Sequence, residues 1–259
     1  MLITLTTDFG LKDPYQGAMK GAILSVNPEA RVIDITHLVS PGDIIEGAFV
    51  LLESYGFFPD GTVHVAVVDP GVGGMRRPML VETERFLFVG PDNGLFSLVL
   101  RNEKVKRVVQ LTEEKYFRKE VSNTFHGRDV FGPVAAHLSL GVSPSAFGPE
   151  ITDILEISLP KPSLEMGVIT GEVIYIDSFG NIITNIDGGD ALSFGVDAEL
   201  ELNGKGVEGL KRTYSEVTGG SALALISSSG FLEIAVNGGD AARLFNAQVG
   251  DKVLLRARG

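Results

Sequence analysis

From residue 2 to residue 68 the chain repeats one pattern: an apolar run of strand length, then a stretch whose apolar residues recur every three to four positions. LITLTTD is followed by Tyr15, Ala18, Met19, Ala22, Ile23 and Val26 on one helical face, and RVIDIT by Ile45, Ala48, Phe49 and Leu52; TVHVAVV comes next. Strand, helix, strand, helix, strand predicts an α/β fold with a mostly parallel sheet covered by helices. Ligands of such sheets gather at the carboxyl ends of the strands, so the residues just after each strand carry the most functional information. Asp13 and Pro14 read as the N-cap and first residue of the first helix, and Ser40-Pro41-Gly42 as a turn. Residues 79–83 and 86–89 read as a hairpin, 93–101 as a short helix and 105–111 as a strand. Residues 129–140 read as a helix capped by Asp129 and stopped by Gly141.

The texture changes near residue 160. After the proline-containing linker LPKPSLEMG come short alternating stretches (GEVIYID, NIITNI, AELELNG, ALALIS, GFLEIAV, DKVLLRAR) separated by glycine-rich turns. These predict a small all-β, barrel-like domain, giving an α/β domain over 1–160 and a β-barrel domain over 161–259.

Composition narrows the chemistry. The absence of cysteine removes disulfides, thiolate nucleophiles and cysteine-held metals, which suits a cytoplasmic location. A formal net charge of −11 disfavours nucleic acid and anionic membranes as partners. The start MLITLTTDFG has no basic region ahead of a long apolar run, and no apolar stretch reaches membrane-spanning length. HExxH, HxH, EF-hand, GxSxG and SxxK spacings are missing, so neither a metal site nor serine acyl transfer is expected.

Three polar clusters remain. VAVVDPGVGGMRRP places Asp69 at a strand end, then a glycine-rich turn, then Arg76 and Arg77 returning toward it. A phosphate loop would open a helix here, but Pro78 and the strand-like MLVE follow instead. TTDFGLKD places Asp8 at another strand end, where a carboxylate is suited to accept both hydrogen bonds of a ribose diol. NTFHGRDVFGP brings His126, Arg128 and Asp129 around a glycine; His126 is the acid–base candidate, whereas His37, His64 and His137 sit in strand or helix contexts that suit structural roles. Farther along, IDSFGNIITN offers Asn181 to pair with a base edge and Phe179 to stack on its face, beside Asp177. SSSGFLEIAVNGG offers Ser228, Glu233 and Asn237.

Together TTDFGLKDPYQGAMKGAI, VVDPGVGGMRRP, GPDNGLFS, FHGRDVFGP, DSFGNIITNI and SSSGFLEIAVNGG, in this order over nearly the whole chain, resemble the S-adenosylmethionine (SAM) hydroxide adenosyltransferases, or SAM hydrolases, relatives of fluorinase and chlorinase. The resemblance implies an α/β domain followed by a β-barrel, a homotrimer with SAM between neighbouring subunits, and hydrolysis of SAM at the ribose C5′ to adenosine and methionine. SAM would be the substrate, with no cofactor and no metal. It implies an Asp69–Arg76–His126 set typical of the hydrolysing branch, Asp8 on the ribose hydroxyls, and Asp13 toward the amino-acid portion. Asp177, Phe179 and Asn181 would meet the nucleoside and its sulfonium side, and Ser228, Glu233 and Val236 the methionine or adenine end. The short hairpin PMLVETERFLFVG lacks the loop that extends it in the halogenating branch, which favours water over halide as nucleophile. Either His126 or Asp69 would take its proton. The competing expectations are a halide-dependent adenosyltransferase, a metal-dependent nucleoside hydrolase built on a carboxylate cluster, and a non-catalytic SAM or adenosine sensor.

Overall fold

In the computed structural model, which describes residues 1–157 and 159–258, the chain divides into two compact units, Met1–Ile157 and Ser158–Gly259. The first holds a six-stranded sheet built from β1 (Leu2–Thr7), β2 (Arg31–Thr36), β3 (Val63–Val67), β4 (Pro78–Thr83), β5 (Leu87–Pro91) and β6 (Val105–Gln110). Its order is β2-β1-β3-β5-β4-β6; the first four strands run parallel, and β4 pairs antiparallel with β5 and β6. The expected mixed, mostly parallel sheet is therefore present.

Both faces are covered, as parallel strands require. On one side Ile3, Leu5, Val63, Val65 and Val67 pack with Met19 and Ile23 of α1 (Tyr15–Val26) and with Val134 and Leu138. On the other, His64, Phe86 and Phe88 meet Tyr55, which follows α2 (Ile44–Ser54). Helix α2 buries Ala48, Phe49 and Leu51 rather than the expected Ile45 and Leu52 positions in full, and Ile45 remains 38% exposed. The expected helix over 93–101 shrinks to α3 (Ser97–Leu100), because Asn93 spends its side chain on the Leu95 amide and the Val68 carbonyl.

Two capping expectations fail. Helix α1 starts at Tyr15 with Pro14 as N-cap and no side-chain cap, so Asp13 is exposed and has no capping duty. Asp129 is not a cap either. The helix begins earlier, as a π-helical turn at Gly127–Phe131 that runs into α4 (Gly132–Ser139), and Asp129 lies inside it. Gly141, at φ +89°, terminates the helix as expected.

The second unit is a nine-stranded, nearly closed sheet comprising β7 (Ser163–Glu165), β8 (Val168–Ile176), β9 (Ile182–Asp187), β10 (Glu199–Leu202), β11 (Lys205–Glu208), β12 (Leu210–Lys211), β13 (Ala222–Ile226), β14 (Phe231–Val236) and β15 (Lys252–Arg256). Its path is β11-β10-β15-β8-β9-β14-β13-β12, with β7 joined to β8 and β11 approaching β13. Alternation along each strand sends Val173, Ile182, Ile186, Leu200, Leu232, Ile234 and Val253 into one core. The expected linker is partly a strand: Met166 and Gly167, both at positive φ, form the tight turn that folds β7 onto β8. Short helices α5 (Gly188–Ser193) and α6 (Ala241–Phe245) cover it. Among the described residues no helix is long and apolar enough to cross a membrane.

Candidate active site

The register of the parallel sheet assembles the first half of the site. Thr7 of β1 lies opposite Val67 of β3, so Asp8 and Asp69 leave the sheet side by side at its carboxyl edge. Asp8 accepts the Gly42 amide at 2.9 Å. Burial pushes its carboxyl above the usual range, partly offset by that hydrogen bond, and the charge of Asp69 pushes it further.

Asp69 and Arg76 face each other across the glycine turn. Arg76 Nε lies 2.9 and 3.0 Å from the two carboxylate oxygens and Nη2 lies 2.5 Å from Oδ2, with both side chains almost fully buried. The same Nη2 lies 2.7 Å from His126 Nδ1. A guanidinium has no lone pair to offer, so Nδ1 is the acceptor and the neutral ring carries its proton on Nε2. Burial pushes the imidazole pKa down and the Arg76 charge adds to this, while Asp69 and Asp129 oppose it. The Phe131 ring lies 5.4 Å beneath the guanidinium carbon.

The neighbouring arginine does something else. Arg77 turns away from Asp69 to bind Asp92 at 2.7 Å and Asp153 at 2.8 Å, so only one of the two arginines joins the cluster. Gly73, at φ +73°, lets the turn pass against the loop that bears His126: a Cβ there would fall 2.1 Å from the Asn123 carbonyl oxygen. The other histidines are structural. His37 Nδ1 meets Thr7, His64 Nδ1 meets Thr4, each at 2.8 Å, and His137 packs edge-on against Tyr116.

The second set lies in the barrel unit. Asp177 Oδ1 accepts the Phe179 and Asn181 amides, both at 2.8 Å, and Oδ2 accepts one hydrogen of the Asn181 side chain at 2.9 Å. That tight turn holds the Phe179 ring out at 77% exposure, where it lines a hollow of about 750 Å³ with Val236, Gly239, Asp240, Arg243 and Leu244. Glu233 is buried and accepts the Tyr214 hydroxyl at 2.8 Å; burial and that carboxylate push the phenol up to about 12. Ser228 sits exposed in the β13–β14 turn. The fold thus joins Asp69, Arg76 and His126, with Asp8 beside them, and groups Asp177, Phe179 and Asn181; Val236 shares a hollow with Phe179.

Sequence reasoning missed Phe131, Asn123 and Tyr214. Phe131 reads as ordinary helix core, and nothing local says that a guanidinium will lie over it. Tyr214 and Glu233 are nineteen residues apart and meet only through the barrel. Among the described residues, no three His, Asp or Glu side chains converge as metal ligands would.

Comparison with known proteins finds relatives along nearly the whole chain. The family model for the SAM hydroxide adenosyltransferase N-terminal domain matches residues 3–148, and that for its C-terminal domain matches residues 171–254. An (R)-S-adenosyl-L-methionine hydrolase of Salinispora arenicola is 40% identical, with 98% of this chain and 97% of the relative covered. One from Methanocaldococcus jannaschii is 38% identical over 97% of this chain and 94% of its own, whereas a fluorinase of Actinoplanes falls to 26% over 96% and 95%. A crystal structure of a Thermotoga maritima protein superposes with a TM-score of 0.93 at 36% identity, covering 98% of this chain and 100% of that one. With both domains matched and the acid, arginine and histidine joined at the sheet edge, the chain belongs to the SAM hydroxide adenosyltransferase family.

Proposed function

We propose that this protein hydrolyses SAM at the ribose C5′. A water oxygen forms the new bond to C5′ opposite sulfur, the C5′–S electron pair returns to sulfur as the neutral thioether of methionine, and a proton leaves the attacking water. Adenosine and methionine result. The leaving group needs no protonation, so the whole task falls on the nucleophile. Orientation of one water in a dry site can supply at most roughly 7–11 kcal/mol.

The observation that carries this reading is the Asp69–Arg76–His126 contact set. Arg76 is a fixed cation that stabilises developing hydroxide and cannot act as base. His126 has its one unprotonated nitrogen against Arg76, so it presents Nε2–H as a donor. Asp69 Oδ1 has the single 2.9 Å bond from Nε and lone pairs to spare, which favours Asp69 as proton acceptor. Asp8 holds the ribose hydroxyls, Asp13 faces the amino-acid portion, Asp177 orients Asn181 on the adenine edge, and Phe179 and Val236 contact the nucleoside. Ser228 lines the other end of the ligand, and Glu233 acts through Tyr214. The protein works without metal or cofactor, in the cytoplasm, as a homotrimer in which the two residue sets meet across subunits.

Incubation with SAM in chloride-free buffer of oxygen-18 water with EDTA tests this directly. Adenosine labelled at its 5′ oxygen is expected. A halogenated nucleoside formed only on adding halide would replace water as nucleophile; SAM recovered bound and intact would indicate a sensor. Loss of turnover with EDTA would restore a metal. Light scattering at a monomer mass would remove the trimer.

A further inference from the structure

Asp129 is a buried carboxylate, 0% exposed, that the reaction above does not use. It lies three residues beyond His126 in the π-helical turn, a rare geometry that often marks functional segments. Its Oδ2 accepts the Ser122 amide at 2.9 Å and Arg128 Nη2 at 2.8 Å. Its Oδ1 accepts Arg128 Nε at 2.7 Å and Arg118 Nη1 at 3.4 Å, and its main-chain carbonyl accepts the Arg118 amide at 2.9 Å. One residue therefore clasps both ends of the 118–128 segment. Between those ends lie Asn123, pressed against Gly73 of the arginine turn, and His126 itself.

We propose that Asp129 is a positioning residue for hydrolysis: by tying residues 118, 122 and 128 to the π-turn it fixes His126 Nδ1 against the Arg76 guanidinium. The inference rests on the reading that His126 takes part in the reaction. A purely structural clasp needs acceptors only, and an amide would supply one for Ser122. A buried charge is costly, and here the cost is met by two arginines whose side chains still reach solvent. That charge also acts on the histidine. Facing His126 are Arg76, which disfavours its protonation, and Asp69 and Asp129, which favour it. Arg128 neutralises part of Asp129.

The test compares Asp129→Asn with the full-length wild-type chain. Expected are an unchanged melting curve to within a few degrees, a KM for SAM within about twofold and kcat lowered about tenfold or more. Nitrogen-15 NMR of the imidazole should show His126 losing its single Nε2–H tautomer as Nδ1 leaves the Arg76 guanidinium. Should Asp129→Asn fail to fold, Arg118→Gln, which removes only one clasp contact, should give the same signature more weakly. An unmoved His126 signal with unchanged kcat, while His126→Ala remains inactive, overturns the positioning role alone. A displaced His126 signal with unchanged kcat overturns both this role and the assignment of His126 to the reaction.

Discussion

Arg76 Nη2 is shared between two partners of opposite character: Asp69 Oδ2 at 2.5 Å and His126 Nδ1 at 2.7 Å. A lysine ammonium is a single point and cannot repeat the fork that grips both carboxylate oxygens. Arg76→Lys should therefore fail nearly as badly as Arg76→Ala. Asp69→Asn, Arg76→Ala and His126→Ala should each lower kcat by about a hundredfold or more while the Kd for SAM changes far less. Near-normal turnover in all three variants, measured by adenosine release, would remove the set from the mechanism.

The same contact fixes the pH response. Neutral His126 accepts from Arg76, and protonation would point an N–H at a cation. Burial and Arg76 hold its pKa below the ordinary value of 6.5, so the neutral form persists through neutral pH. Turnover should fall with acid along a limb centred below 6.5, which a kcat/KM profile would place. A limb centred above 6.5 would mean that the histidine is stabilised as a cation, contrary to this geometry.

In the barrel, Phe179 contributes little to the fold because its ring is held out in solvent by the Asp177 turn. Phe179→Ala should leave the melting temperature unchanged yet weaken adenosine binding by about 1–3 kcal/mol, the usual worth of a base–aromatic stack. Asn181→Ala should also weaken adenosine binding. Calorimetry with adenosine measures both, and unchanged affinity in both variants would move the nucleoside elsewhere.

Much of this arrangement is legible in the sequence because it follows from short-range pattern. Period-3.6 and period-2 stretches predict the helices of the first unit and most strands, and strand ends mark Asp8 and Asp69; the short α5 and α6 and the strands β7, β11 and β12 carry no such stretch. The errors occur where a local motif had a longer-range competitor. Asp13-Pro14 looks like a cap, but the helix begins one residue later and leaves the carboxylate exposed. Asp129 looks like a cap, but Arg118 and Ser122, seven to eleven residues upstream, draw it into the interior. Arg76 and Arg77 are equivalent on paper; only the fold reveals that Asp92 and Asp153 claim the second. Residues such as Phe131, whose role comes from what lies over it, carry no local signal.

Gly73 brings the Asp69–Arg76 turn against the loop that bears His126. Its φ of +73° is costly for a residue with a Cβ, and that Cβ would sit 2.1 Å from the Asn123 carbonyl oxygen. Gly73→Ala must push the arginine turn away from the loop bearing His126. Turnover should drop about tenfold or more, since displacements near 1 Å can cost about a hundredfold. Stability should fall by about 1 kcal/mol or more, given the strained backbone and the clash. A crystal structure of the variant showing the 2.7 Å Arg76–His126 contact intact, with turnover lost, would locate the defect elsewhere.

His64 gives a prediction about stability that is independent of the chemistry. It is fully buried, its Nδ1 lies 2.8 Å from the Thr4 hydroxyl, and Tyr55, Phe58, Phe86 and Phe88 surround the ring. Burial lowers its pKa from 6.5 to about 3. Between those two values the unfolded chain binds a proton that the folded chain refuses, so the stabilising contribution is complete above 6.5 and is lost as pH falls toward 3. The slope is about 1.4 kcal/mol per pH unit at most. Urea unfolding of wild type and His64→Gln at a series of pH values isolates it, because the carboxylate contribution is common to both. The variant should be less stable at neutral pH, having lost the aromatic packing, but its stability should decline less steeply with acid. Parallel curves would mean that His64 takes up its proton within the folded state, and that the cage around it opens well before the protein unfolds.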